Sequence, residues 1–491
     1  MIRKRQSAER GGARSAEQDA GRTPGRSGER EDPRKRGAER GGGSPAGRRN
    51  RSASHEGPER PEVVVAPARE DAVSRALLIQ AAQVLGPVLE FSHPADVVIS
   101  RYFRENRELG QRDRSFVAET VYGIVRRLRW LRRLAGSDAR PRELLLAWLA
   151  RGEGWPMRRF EGLVSPVEME WISSLKASAL DEGSLGERTD LPDWLAERLA
   201  SQYDEAELAA LAHGLNRPAP LDLRVNVMKA DRDKTLAALK ASGFDASACP
   251  LSPHGVRMAG KPALQKHPLF LDGSVEVQDE GSQLLGFLLQ PRRGELVVDF
   301  CAGAGGKTLH LGAMMRSTGR LYAFDVSEKR LAKLKPRVAR AGLSNVHPVL
   351  IAHERDQKVK RLAAKADRVL VDAPCSGLGT LRRNPDLKWR QSPESVAEMV
   401  VKQAAILASA ARLVRPGGRL VYATCSLLKD ENDGIVDAFL AAHPDFFERD
   451  ASDVLSGQGV ELATGERLRL FPHRHDTDGF FAAVLERAEV R

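Results

Sequence analysis

From residue 295 onward, short apolar runs alternate with longer segments of helical character. The runs Glu295–Phe300, Arg320–Asp325, Val346–Ile351, Arg368–Ala373 and Arg419–Thr424 predict five strands. Strands alternating with helices are the signature of an α/β fold with a doubly wound parallel sheet. A late run, Gly479 to Leu485, predicts an added edge strand. Pro336 interrupts the helical segment Glu328–Arg340, where a missing N–H and a ring clash predict a kink or a break.

Upstream the period changes. Val73, Leu77, Val84 and Val88, and then Val117, Val121, Ile124, Leu128 and Leu131, recur at helical spacing and predict at least two amphipathic helices in an all-α domain over 69–185. Asp190-Leu191-Pro192-Asp193 reads as a helix start with Asp190 as its cap. Leu221, Leu223, Val225 and Val227 alternate with polar residues as a half-buried strand does. A helix over 232–242, short strands around Val256 and Leu269, and a helix from Gln278 to Gln290 complete a small α+β domain over 186–285. Residues 286–491 form the strand–helix domain.

Composition narrows the classes. Of the 491 residues 42% are hydrophobic, enough for substantial cores, yet no apolar run reaches the ~20 residues of a membrane helix. Four cysteines without paired spacing predict neither a disulfide framework nor a zinc site, and a reducing cytoplasm fits them. The Arg-rich start lacks an apolar signal core, so no targeting segment is expected. Net charge is +11, and residues 1–62, with sixteen Lys/Arg against ten Asp/Glu, supply six of those charges. That stretch has no Leu, Val, Phe, Tyr or Trp, so 1–68 reads as a disordered Arg/Gly-rich tail, either merely solubilising or attached loosely to nucleic acid. Arg126, Arg127, Arg129, Arg132 and Arg133, with Arg112 and Arg114 just before, read either as a solvated face or as phosphate contacts to RNA.

The candidate chemistry lies at strand ends. Cys301-Ala302-Gly303-Ala304-Gly305-Gly306-Lys307 follows the first strand of the last domain, and its glycines let the backbone approach a ligand at a helix N-terminus. Asp325 ends the second strand, where a carboxylate can bind both hydroxyls of an adenosine ribose, cap the following helix, or do both. Gly306-Lys307-Thr308 also ends like an ATPase phosphate loop. That loop needs a glycine where Cys301 stands, and an ATPase has no task for the remaining thiols. Cys375, in Asp372-Ala373-Pro374-Cys375-Ser376-Gly377, and Cys425, in Thr424-Cys425-Ser426, each close a strand-like run. Open α/β sheets bind ligands beyond the carboxyl ends of their strands, so these ends can share one crevice. Two thiols beside a nucleotide-type pocket point to covalent chemistry.

These motifs, with Arg383-Asn384-Pro385-Asp386 and Asp478-Gly479-Phe480-Phe481, resemble those of the Sun/nucleolar-protein family of S-adenosylmethionine-dependent RNA cytosine-C5 methyltransferases. Leu223-Arg224-Val225-Asn226 and Gln278-Asp279-Glu280 resemble the family's small RNA-recognition-like domain. The region around Arg112-Asp113-Arg114 and Tyr122-Gly123 is similar to the NusB-like domain of its bacterial ribosomal small-subunit methyltransferase B group. The resemblance implies a Rossmann-like catalytic domain with S-adenosylmethionine held by the 301–307 loop, Asp325 and Asp372. It also implies Cys425 as nucleophile, Cys375 assisting release, and Asp372 near the target base. An RNA substrate follows, ribosomal rather than transfer RNA by the NusB-like start, with no metal or membrane partner and a monomeric enzyme. A DNA enzyme would place its nucleophile in the Pro374-Cys375 motif, and a vestigial, non-catalytic assembly protein would not need both cysteines. The loop departs from the family's usual Cys-Ala-Ala-Pro-Gly-Gly-Lys at Gly303 and Ala304. The adenine-side acid falls on His353, Glu354 or Asp356, among which the sequence does not choose.

Overall fold

A computed structural model describes residues 73–179 and 183–489; the expected tail at 1–68 lies outside the described residues. Among the described residues twelve strands form two sheets. In the first, β1 (Leu221–Val225), β2 (Ala246–Ala248), β3 (Gly255–Met258) and β4 (Val275–Val277) are antiparallel in the order β2-β3-β1-β4. The second contains β5 (Leu296–Asp299), β6 (Arg320–Asp325), β7 (Val346–Leu350), β8 (Ala366–Asp372), β9 (Val414–Thr424), β10 (Phe446–Arg449), β11 (Leu468–Leu470) and β12 (Phe480–Arg487).

The large sheet runs β10-β12-β9-β8-β5-β6-β7, with β11 paired to β12. β7 through β9 are parallel, as expected, whereas β12 lies antiparallel to β9, β10 and β11. The sheet is therefore mixed, and β12 is an interior strand rather than an edge. Its side chains from Phe480 to Leu485 are all buried, which fits a strand covered on both faces. Chain order reverses at β5, so the topological switch point opens between β5 and β8.

The helix Glu328–Ala341 runs unbroken through Pro336, so of the expected kink or break the break does not occur. Pro336 and Ala332, whose carbonyl loses its partner, are both exposed, so water can satisfy it. Leu269 is not in a strand: His267 caps a short turn of helix, Pro268–Leu271, and the strand falls instead at Val275–Val277. β1 stops at Val225, so Val227 lies in the turn that follows. The helix Glu280–Leu289 is buried along its whole length and packs against β8, β9 and β12, with Leu284, Leu285, Leu288 and Leu289 in the core there.

The N-terminal region is all helical, from Arg75–Leu89 to Pro166–Ala177, around one apolar core. Its arginines straddle two helices, Gln111–Arg126 and Leu128–Ala135, broken at Arg127. Asp190 does not cap the next long helix, which starts at Asp193 behind Pro192. It takes a left-handed conformation, φ 55°, after the short helix Leu185–Thr189, where its buried carboxylate accepts from the Trp130 amide and pairs with Arg127. The helices Asp193–Ala200 and Glu205–Leu215 pack on Leu378, Leu381, Val396 and Leu428 of the large domain, not on the small sheet.

Candidate active site

The carboxyl ends of β5, β6, β8 and β9 surround one cavity of about 670 Å³. After β5 the chain turns through Cys301–Gly305 into the helix Gly306–Met314. Gly303 (φ 57°) and Gly305 (φ 89°) both have positive φ, and a Cβ on Gly305 would strike Leu334. Asp325, 4% exposed, ties this turn to β6: its carboxylate accepts from the Gly303 amide at 2.8 Å and from the Ser327 amide at 2.7 Å, and pairs with Arg330. Ser327 caps the following helix, so Asp325 orders both its loop and its helix start while lining the cavity.

His353 and Glu354 line the far end of the cavity. Asp356 turns away, accepting from the Ala352 and Lys358 amides at 2.8 Å each. Deeper in, Asp299 is fully buried and accepts from Thr308 Oγ1 at 2.7 Å, and burial pushes its carboxyl up to about 7.

Lys307 and Asp372 bridge the two halves of the site with a 2.6 Å ion pair. Burial alone would depress the Lys307 ammonium, but Asp372, with Cys425 and Asp299, outweighs it and the net shift is upward. Beyond Asp372 the sulfurs of Cys375 and Cys425 stand 3.4 Å apart, both facing the cavity. The hydrogen bond to Cys425, and then burial, push the Cys375 thiol well above its ordinary range. Cys375 is thus held as a thiol at neutral pH.

The support beneath the cysteines was not apparent from the sequence. Glu431, with no exposed surface, accepts from the Ser376 amide at 2.8 Å, from Ser376 Oγ at 2.5 Å, from Ser426 Oγ and from Gln403 Nε2 at 2.9 Å. One carboxylate therefore grips the residue after each cysteine. Gly379 closes the same corner: its amide donates to the Cys425 carbonyl at 2.8 Å, and a Cβ there would collide with Gly479 and Cys425. Arg383 fastens the Arg383-Asn384-Pro385-Asp386 loop to Asp478 at 2.6 Å and Asp279 at 2.9 Å. In sequence, Glu431-Asn432-Asp433 looks like any polar start to the helix Asp433–Ala442, and nothing local marks the acid as buried.

The arginine run makes contacts within the protein. Arg126, 9% exposed, donates to the Arg382 carbonyl at 3.0 Å; Arg127 pairs with Asp190; Arg129 donates to the Leu191 carbonyl and to Asp193. Arg114 donates to the Leu109 carbonyl, and Arg132 stays exposed. Most of the run is thus engaged within the protein.

With this geometry in view, similarity to known proteins is informative. Residues 286–486 match the family described as 16S rRNA methyltransferase RsmB/F, and residues 191–265 match the ferredoxin-like domain of RsmF/B-like methyltransferases. A Synechocystis protein named "Probable ribosomal RNA small subunit methyltransferase B" is 34% identical over 427 residues, 80% of this chain and 95% of its own length. The chain belongs to the RsmB/F methyltransferase family. Ribosomal RNA small subunit methyltransferase B of Sodalis glossinidius is 32% identical, with 77% of this chain and 90% of that protein covered. The solved protein PH0851 superposes with a TM-score of 0.68 at 26% identity, covering 84% of this chain and 99% of its own. Membership makes S-adenosylmethionine the methyl donor, and the small domain, expected to be RNA-recognition-like, is ferredoxin-like.

The residues present fit that donor. Cβ atoms built on Gly303 and Gly306 would meet nothing within 4 Å, so the loop leaves open room where a ligand can lie against backbone. A carboxylate at the end of the neighbouring strand and the start of the helix Gly306–Met314 complete the kind of cradle an adenosine with an amino-acid tail requires.

Proposed function

We propose that this protein methylates C5 of a cytosine in small-subunit ribosomal RNA through a covalent adduct with Cys425. The observation that carries this reading is the thiol pair, 3.4 Å apart at adjacent strand ends, opening on the donor cavity. C5 of cytosine is too weak a nucleophile to be methylated directly, whereas addition of Cys425 Sγ to C6 gives C5 enamine character. When bound, S-adenosylmethionine supplies the electrophilic methyl group.

In this reading the loop Cys301–Lys307 and Asp325 hold the donor, with His353 and Glu354 on its far side. Asp372, fixed by Lys307, stands between the donor loop and the cysteines and meets the base. Cys375, kept protonated, sits where it can serve the breaking of the Cys425–C6 bond. The C5 proton then passes to water, its electron pair restores the C5–C6 double bond, and Cys425 leaves as a thiolate, freeing the methylated cytosine. C6 is attacked above the ring plane, so the base must leave its stack and come from a loop or be flipped out. The family and the named relatives, all small-subunit methyltransferases, support ribosomal RNA as the substrate.

Bisulfite sequencing of ribosomal RNA from cells with and without the gene tests the proposal. A single cytosine protected only when the protein is present is the expected result. An unchanged map with methylation found elsewhere would remove cytosine C5 as the target.

A further inference from the structure

The glycine turn at the donor site is not held by its own domain alone. Its glycines give it conformational freedom, and at Gly303 and Gly306 no neighbour lies close enough to limit it sterically. Two of its carbonyls, however, are engaged by arginines. Arg337 Nη1 donates to the Ala304 carbonyl at 2.7 Å, and Arg224 Nη1 donates to the Gly306 carbonyl at 2.7 Å.

These arginines converge from different domains. Arg337 lies on the helix Glu328–Ala341 behind the loop, whereas Arg224 is on β1 of the small ferredoxin-like domain. Glu276 of β4, directly opposite Arg224 in the strand pairing and 4% exposed, joins them: it accepts from Arg337 Nη2 at 3.0 Å and from Arg340. Arg224 is 2% exposed and also donates to Gln278, whose side chain lines the donor cavity. Burial lowers the Arg224 guanidinium only to about 10, so it stays charged at neutral pH. A buried cation is costly unless its hydrogen bonds are made, and a carbonyl of the donor loop supplies one of them.

We propose that Arg224 and Arg337, the latter held by Glu276, are positioning residues for S-adenosylmethionine: they fix the glycine turn, so that the small domain completes the donor site rather than serving RNA alone. The expected signature is selective. Loosening the turn weakens the donor's binding, whereas RNA affinity and the cysteine chemistry at saturating donor are little affected.

The proposal rests on the donor site assigned above, so the experiment includes a control for that assignment. Donor affinity is measured by calorimetry with S-adenosylmethionine on the full chain and on Arg337→Met, Arg224→Met and Glu276→Gln, together with single-turnover rates at saturating donor. Arg337 is the more exposed of the pair and secures the test if Arg224→Met does not fold. Loss of one charged hydrogen bond predicts a rise in donor Kd of roughly tenfold in Arg337→Met, recovery to within about twofold in Arg337→Lys, and a smaller rise in Glu276→Gln. An unchanged donor Kd in folded Arg337→Met, or a fall in RNA affinity instead, overturns the proposal while the site stands, provided Asp325→Ala abolishes donor binding. Donor binding that survives Asp325→Ala overturns both.

Discussion

The ends of β8 and β9 and the helix pair Gln111–Arg126 and Leu128–Ala135 are both dense in reactive or charged side chains, yet they spend them in opposite ways. At the strand ends the cysteines face an open cavity, while the buried polar groups Ser376, Ser426 and Glu431 work behind them. On the helices the cations turn inward and sideways, to the Arg382 and Leu191 carbonyls and to Asp190 and Asp193. The difference follows from topology. A parallel strand delivers its C-terminal residues to the same edge whatever their chemistry, whereas a helix leaves the fate of a side chain to whatever packs beside it.

The helical domain is also welded to the segment of the large domain that carries Arg383. Lys388 Nζ donates to the Arg126 carbonyl at 2.7 Å, Trp389 Nε1 to the Val125 carbonyl at 3.1 Å, and the Ala95 amide to Asp386 at 3.2 Å. Thus the segment that follows Cys375 and carries Arg383 is held between two domains. In this region arginine is a fastener, whereas at the strand ends the proposed function makes cysteine the reagent.

The comparison is broken most decisively at Cys425. Replacing it with alanine is expected to lower methyl transfer by at least ~10³-fold while S-adenosylmethionine binds as before, because the 301–307 loop and Asp325 are untouched. Methyl transfer to RNA and calorimetric donor binding measure the two separately. Substantial residual turnover would remove Cys425 as the nucleophile.

Cys375→Ala separates the two thiols. If Cys425 adds and Cys375 serves release, this variant methylates once and stays bound, giving a protein–RNA band on denaturing gels that vanishes in Cys375→Ala/Cys425→Ala. A band that needs Cys375 and survives loss of Cys425 exchanges the roles.

Glu431→Gln sharpens the contrast between reagent and support. The neutral side chain offers fewer acceptor sites to Ser376, Ser426 and Gln403, and weakened charged hydrogen bonds of ~1.5–3 kcal/mol predict a fall in turnover of roughly 10- to 100-fold. Donor affinity should hold, since Glu431 does not line the donor cavity. A loss of donor affinity equal to the loss of rate would make Glu431 a general prop rather than a brace for the cysteines.

At the interface, Lys388 is 1% exposed, and burial lowers its ammonium to about 7, with Asp190 opposing that shift and Arg126 and Arg127 adding to it. Between about 7 and the unfolded value of 10.5 the unfolded chain binds the extra proton, so this group makes stability rise with pH across that window. Lys388→Met should flatten that rise in urea melts taken from pH 7 to 10. An unaltered slope would mean that Lys388 keeps its proton in the fold.

These variants also mark where sequence reasoning reached and where it stopped. Strands β5 to β9 and the residues at their ends were readable because apolar runs and the glycine turn fix them locally. The placement of β12 was not, since a continuous apolar run reports burial on both faces but not direction or neighbour. Asp190 sits at a helix start in sequence, yet a left-handed turn and Arg127 claim it, and both depend on the fold. Glu431 and Arg224 are single charges that each have a partner far away in the chain, Ser376 at 55 residues and Gly306 at 82. No local period can announce such contacts.

The smallest expected effect concerns the arginines themselves. Arg129 spends one guanidinium nitrogen on the Leu191 carbonyl at 2.9 Å and on Asp193 at 2.7 Å, a partner largely exposed to water. Exposed pairs contribute about 0–1 kcal/mol, so Arg129→Gln should lower the melting temperature by only ~1–3 °C in a protein of this size. The more telling measurement is RNA affinity against salt. A residue that neutralises a phosphate contributes close to one unit of slope in a plot of log K against log salt, and a residue engaged within the protein contributes almost none. Arg129→Gln should therefore leave the slope unchanged, whereas Arg132→Gln, the exposed member of the run, serves as the comparison. A slope shallower by about one in Arg129→Gln would show that this helix gives up its internal partners to grip RNA, and the division between fastening and reacting regions would fail there.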